Sequence, residues 1–158
     1  MPPRKLAALT LALSLLSSGV TACEVVPLGN LYDMLAETYL GGPDNMQLQE
    51  LHVLDLNGDT YLDAYAVTTF WVSGGAKDAG GVLYFEGRDG GFCDLADEMS
   101  VELLDPTSLR VTAVPSEAAD KRPEFDVSFT GGGKDPSART HTRFVYQAKR
   151  FGFAPVEK

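Results

Sequence analysis

Between residues 28 and 40 the apolar residues fall at Leu28, Leu31, Leu35 and Tyr39, with Tyr32 and Met34 beside them. Steps of three and four line one side of a helix, which predicts an amphipathic helix of about three turns. Asn30 is placed to cap its start, and Gly41-Gly42-Pro43 to end it. From Gln47 onward the period shortens. Runs at 48–54 and 62–72 read as strands, the second rich in β-branched and aromatic residues, and another at 82–85 follows a Gly/Lys/Asp loop. Runs at 101–104 and 109–114 flank an expected turn at Asp105-Pro106. Phe125, Val127 and Phe129 alternate with Asp126 and Ser128, while Phe144 and Tyr146 alternate with Arg143, Val145 and Gln147. Phe151 and Phe153 complete the pattern. It predicts a mainly β (α+β) fold: an antiparallel sheet or small sandwich with one short N-terminal helix packed on it. No internal repeat or long linker divides the chain, so residues 23–158 are expected to form one domain.

The first 22 residues break this pattern. Arg4 and Lys5 precede an uncharged apolar run at 6–16, followed by Ser17, Ser18, Gly19 and then Val20-Thr21-Ala22-Cys23. A basic start, a short apolar stretch and small residues at a cut site describe a secretory signal. The run is too short to cross a hydrocarbon core of about 30 Å. Val20-Thr21-Ala22-Cys23 resembles the lipobox of bacterial lipoproteins. That resemblance implies acylation of Cys23 and a periplasmic or cell-envelope domain held at a membrane surface by its lipid. Ordinary cleavage after Ala22 would instead free Cys23 to pair with Cys93 in an oxidising compartment, or leave two thiols. If Cys23 is acylated, Cys93 is a lone thiol beside Phe92, read as a small buried hydrophobe.

Composition narrows the partners. The 158 residues are 44% hydrophobic and 22% charged, ordinary for a globular chain, with a net charge of −9. Removing residues 1–22 takes away two of the thirteen basic residues and no acidic one, so the remaining 136 carry 11 − 22 = −11. A sequence pI of 4.6 argues against a nucleic-acid surface, which needs clustered Lys and Arg. Two histidines and two cysteines are little material for a transition-metal site.

The chemical motif is Asp55-Leu56-Asn57-Gly58-Asp59-Thr60-Tyr61-Leu62-Asp63. It sets oxygen-bearing groups at alternate positions. Ca²⁺ takes six to eight oxygens, so side chains of Asp55, Asn57 and Asp59, the carbonyl of Tyr61 and the carboxylate of Asp63 form a candidate ligand set. An EF-hand is excluded, because Ala66 stands at the twelfth position and Thr60 at the sixth. The stretch 51–72 is similar to the Asp-x-Asn-Gly-Asp-x-x-x-Asp loop of FG-GAP and VCBS-type repeats, which implies a calcium loop joining two strands. Thr60 stands where that family usually has Gly, at a position whose turn calls for φ > 0. The same residues also suit a solvated hairpin turn, where Asp, Asn and Gly gather for geometry alone.

Other chemistry is sparse. His52 and His141 each lack a partner set for catalysis, and no nucleophile elbow, zinc-protease helix or phosphate loop is present. Gly131-Gly132-Gly133-Lys134-Asp135 lacks the Ser/Thr and helix of a phosphate loop, and Arg88-Asp89-Gly90-Gly91 reads as a turn. Asp94, Asp97 and Glu98 are expected on a short solvated helix. The expectation is a non-enzymatic, exported envelope domain that binds another envelope protein or a glycan, with Ca²⁺ as a structural ion. The alternative is an acidic inhibitor or immunity-type protein that blocks a basic site on its partner.

Overall fold

A computed structural model describes residues 23–42, 45–71, 78–115, 122–131, 135, 137–147 and 152–155. The expected signal segment, 1–22, lies outside them. Strand β1 (Val25–Val26) leads through a 3₁₀ turn at Leu28–Asn30 into helix α1 (Leu31–Thr38). Then come β2 (Gln47–Leu54), β3 (Asp63–Trp71), β4 (Asp78–Phe85), β5 (Gly87–Arg88), β6 (Gly91–Cys93) and β7 (Asp97–Leu103). The second half is β8 (Asp105–Val114), β9 (Glu124–Thr130), β10 (Arg139–Gln147) and β11 (Gly152–Pro155).

The strands form two four-stranded antiparallel sheets, ordered β2-β3-β4-β7 and β11-β10-β9-β8, and a small sheet β1-β6-β5. The first two pack face to face. Tyr65, Val67, Val82, Tyr84 and Met99 meet Leu109, Phe125, Val127, Phe129 and Phe144 in one core. Rings interlock across it, with Tyr65 edge-on to Phe125 at 5.3 Å. The residues between them in sequence, Ala64, Ala66, Leu83 and Phe85, point to the opposite face of the first sheet. There they meet Leu31 and Leu35 of α1, both buried, so the helix covers that face as expected.

Four local expectations change. β4 begins at Asp78, inside the expected Gly/Lys/Asp loop, because its pairing with β3 runs back to Trp71. Asn30 precedes α1 but makes no side-chain capping bond; the 3₁₀ turn leads into the helix instead, leaving Leu28 exposed. Residues 97–98 belong to strand β7, not to a helix, because pairing with Leu83 and Tyr84 on β4 extends the sheet through them. The break at Asp105 is no hairpin. It is where the chain crosses between the two large sheets, from β7 beside β4 to β8 beside β9.

Candidate functional site

The 55–63 segment links β2 to β3 across one end of the sandwich. Its side chains fold onto its own backbone. The Gly58 amide donates to Asp55 Oδ1 at 2.8 Å and the Thr60 amide to Asp55 Oδ2 at 3.1 Å. The Asp59 amide donates to Asn57 Oδ1 at 3.0 Å, and the Tyr61 amide to Asp59 Oδ1 at 2.9 Å. Asn57 Nδ2 donates to Asp59 Oδ2 at 3.0 Å. Short acidic and amide side chains favour such local bonds, so this sequence makes a tight polar turn without help from distant residues. Gly58 and Thr60 both take left-handed backbone, φ +75° and +78°. The glycine does so freely, whereas the β-branched threonine is strained there.

Two residues anchor the turn to the body of the protein. Leu56, an apolar residue in a polar loop, is fully buried and joins the sandwich core. Asp63 is also fully buried. Its Oδ2 accepts from the Leu56 amide at 2.9 Å, and its Oδ1 from the Gly87 amide at 2.8 Å. Gly87 has to be glycine for this approach, since a Cβ there would run into the Leu62 carbonyl. Burial pushes the Asp63 carboxyl above the usual carboxylate range, opposed by the Gly87 and Leu56 amides and by the Tyr84 hydroxyl. Burial likewise raises Tyr84, and the neighbouring Asp63 charge adds to that rise. The Arg122 guanidinium lies 5.8 Å above the Tyr84 ring and pairs with Glu86 at 3.0 Å and with Asp97.

The five predicted ligands therefore divide. Asp55, Asn57, Asp59 and Tyr61 surround the turn, while Asp63 is drawn into the interior with each oxygen engaged by an amide. The carboxylates of Asp55, Asp59 and Asp63 do not gather within 4.8 Å of one another. Asp55 and Asp59 also have both oxygens engaged, and an oxygen that accepts one hydrogen bond keeps a second lone pair, so a Ca²⁺ ion here would draw on groups already tied to the turn. The residues fit such an ion only in part. Neither Leu56, Gly87, Tyr84 nor Arg122 was legible as belonging to this site. Leu56 alone gave a signal, as the odd apolar residue among polar ones.

Cys23 and Cys93 form a disulfide with Cα atoms 5.4 Å apart. Beside it β1 pairs with β6, and Glu24 and Asp94 exchange two bonds of 2.9 Å, one from each backbone amide. The Tyr39 hydroxyl accepts from the Ala96 amide and donates to the Asp94 carbonyl, both at 3.1 Å, tying the end of α1 to the same corner. The disulfide is one of the arrangements expected for Cys23, and a sulfur joined in it does not also carry the thioether of a lipid anchor. Asp94 lies within 4.8 Å of both sulfurs, but sulfurs joined to each other are not metal ligands. His52 stacks on Tyr65 with ring centres 4.6 Å apart and contacts Glu50 at 2.9 Å. His141 stands on the outer face of β10, and residues 132–134 of the glycine run lie outside the described residues. No family model, curated protein or solved structure matches the chain.

Proposed function

We propose that this chain is a non-enzymatic, exported binding domain of the cell envelope, partnered by another envelope protein or a glycan, whose 55–63 loop is a structural staple that takes Ca²⁺ weakly. The observation that carries the reading is how the loop uses its oxygens. Asp55, Asn57 and Asp59 hold the turn, and Asp63 fastens it to Gly87. Groups committed in this way build a rim; they do not present a general base or an open coordination position. With the side-chain oxygens already committed to the turn, affinity for Ca²⁺ falls in the range of extracellular modules, about 0.1–1 mM.

Export places Cys23 where a disulfide persists. The disulfide-bonded domain is then the working form, and the acylated, membrane-anchored form is its covalent alternative. Intact mass separates them: the first is two hydrogens lighter than the dithiol, the second heavier by a diacylglyceryl group. The ion reading is tested by thermal unfolding of the mature chain in EDTA and in rising Ca²⁺. A melting temperature that climbs only at millimolar Ca²⁺, and no longer climbs in Asp55→Asn or Asp59→Asn, supports it. A climb at micromolar Ca²⁺ would show that Asp63 swings back into a full ligand set, and no climb at all removes the ion from the reading.

A further inference from the structure

We propose that the outer face of the β8-β9-β10 sheet is a binding site for a short acidic oligosaccharide, recognised through its carboxylates by Arg110 and Arg139. This deepens the binding-domain reading above and rests on it, though not on the ion loop. The face is set by register. Arg110, Ser128 and His141 are directly opposed across the three strands, and the next row is Thr112, Asp126 and Arg143. Arg139 lies one step along, opposite Thr130. The alternate residues, Val111, Phe125, Val127, Phe129 and Phe144, point into the core, so this row of polar side chains faces outward.

The distribution of positive charge makes the face unusual in this acidic chain. Five arginines and no lysine occur among the described residues. Arg88 and Arg122 are held by Glu86, and Arg122 also by Asp97. The other three are all on this face. Arg143 grips Asp126 through two bonds, 2.8 and 3.0 Å, and reaches Glu124 at 3.4 Å. Arg110 and Arg139 have only neutral acceptors among the described residues. Arg110 donates to the Thr107 and Leu109 carbonyls, and Arg139 to the Ser108 carbonyl and Ser128 Oγ. Their guanidinium groups are thus oriented with no carboxylate partner among the described residues, the condition under which a planar fork accepts an incoming carboxylate.

Beside Arg110 is an open depression of about 460 Å³, the size of a small-ligand site, lined also by Thr112, Asp126, Ser128, His141 and Arg143. Its lining favours a sugar over a protein. Hydroxyls of Thr112 and Ser128 stand beside the Arg110 guanidinium, the Asp126 carboxylate is taken up by Arg143, and among the lining residues no Phe, Tyr, Trp or large aliphatic side chain supplies an apolar anchor. Nucleic acid is disfavoured by the net charge of −9. A short oligosaccharide escapes most of that repulsion, because charges beyond about 8 Å are screened at physiological ionic strength.

Isothermal titration of the disulfide-bonded mature chain with trigalacturonic acid tests the site, with neutral maltotriose and a Glu-rich peptide as comparators. The expected result is binding of the acidic trisaccharide alone. It weakens at least about tenfold in Arg110→Gln, the loss of one charge-assisted hydrogen bond, and stays unchanged in Arg88→Ala. Melting temperatures of both variants are compared with the parent, and Arg110→Lys serves as a second probe: it retains charge without the fork and is expected to bind more weakly than the parent. Equal binding by parent and Arg110→Gln overturns the site, as does tighter binding of the peptide. No binding of any ligand also overturns it. Chemical cross-linking to intact envelope then decides the parent reading, because a domain that captures a partner there is still a binding domain with its site elsewhere.

Discussion

The two large sheets are built from the same kind of strand and end in opposite situations. In the β2-β3-β4-β7 sheet the central strands are buried on both sides, so that β3 is buried from Asp63 to Thr69 and β4 from Ala79 to Phe85. In the other sheet β9 alternates strictly, with Phe125, Val127 and Phe129 buried and Asp126 exposed between them. The difference is the helix. A face covered by α1 admits no polar group without a partner, and Ala64 and Ala66 are small where Leu31 and Leu35 come close. An uncovered face is free to carry arginines. A sheet covered on both faces holds the protein together, and one covered on a single face keeps a surface for recognition.

Substitutions sharpen that contrast, and the largest effect is expected under the helix. Phe85→Ala leaves a cavity between β4 and α1 and is expected to cost about 3–5 kcal/mol in a denaturant titration. The same measurement on Thr112→Ala, on the open face, should stay within about 0.5 kcal/mol. Equal losses would mean that the two faces are not differently covered. Next comes the disulfide, which closes a sequence separation of 70 residues and fastens β1 beneath the helix. Reduction should lower stability by about 2–4 kcal/mol and expose the β1–β6 amides to hydrogen exchange first.

Asp63 stands at the end of the covered sheet. Asp63→Asn leaves one of two amides facing an NH₂ group, and a loss of about 1–3 kcal/mol is expected from unfolding curves at pH 7. Its pH dependence has a definite sign. Burial raises the folded pKa above the unfolded one, so Asp63 favours the folded state below the unfolded pKa. That contribution is lost as pH rises through the folded pKa. The parent's stability, compared with Asp63→Asn, should therefore decline across that interval; a relative gain would contradict the assigned environment. Asp126 on the open face has the reverse sign, since the Arg143 hydrogen bonds lower its pKa. Its contribution is present above the unfolded pKa and disappears as pH falls through the folded one, and half-exposure keeps it small. One change is expected to be a gain. Thr60→Gly releases a left-handed β-branched residue and should stabilise the loop by about 1 kcal/mol. A loss instead would mean that the Thr60 side chain contributes more than its strain.

Much of this arrangement was legible beforehand. The 3–4 spacing around Leu31 and Leu35 named the buried side of the helix, and the alternation at 125–129 named the inner side of β9. The 55–63 loop was legible as a turn between strands, down to the left-handed backbone at Thr60. What failed was whatever depended on a distant neighbour. Asp97 and Glu98 look like a solvated acidic patch until β4 pairs with them. Asp63 reads as the end of a polar loop, but its burial depends on Gly87, 24 residues away, whose amide donates to one of its oxygens. Asp105-Pro106 has the composition of a hairpin, yet the chain changes sheets there.

By itself, then, the sequence determined the local geometry: the period of each element, the polar turn and the overall acidity, none of which needs a distant neighbour. The tertiary structure decided which face is covered, which acids are buried and which arginines stay without a carboxylate partner among the described residues. Those outcomes depend on register between strands far apart in the chain, where a shift of one residue would send Arg110, Ser128 and His141 inward and the phenylalanines out.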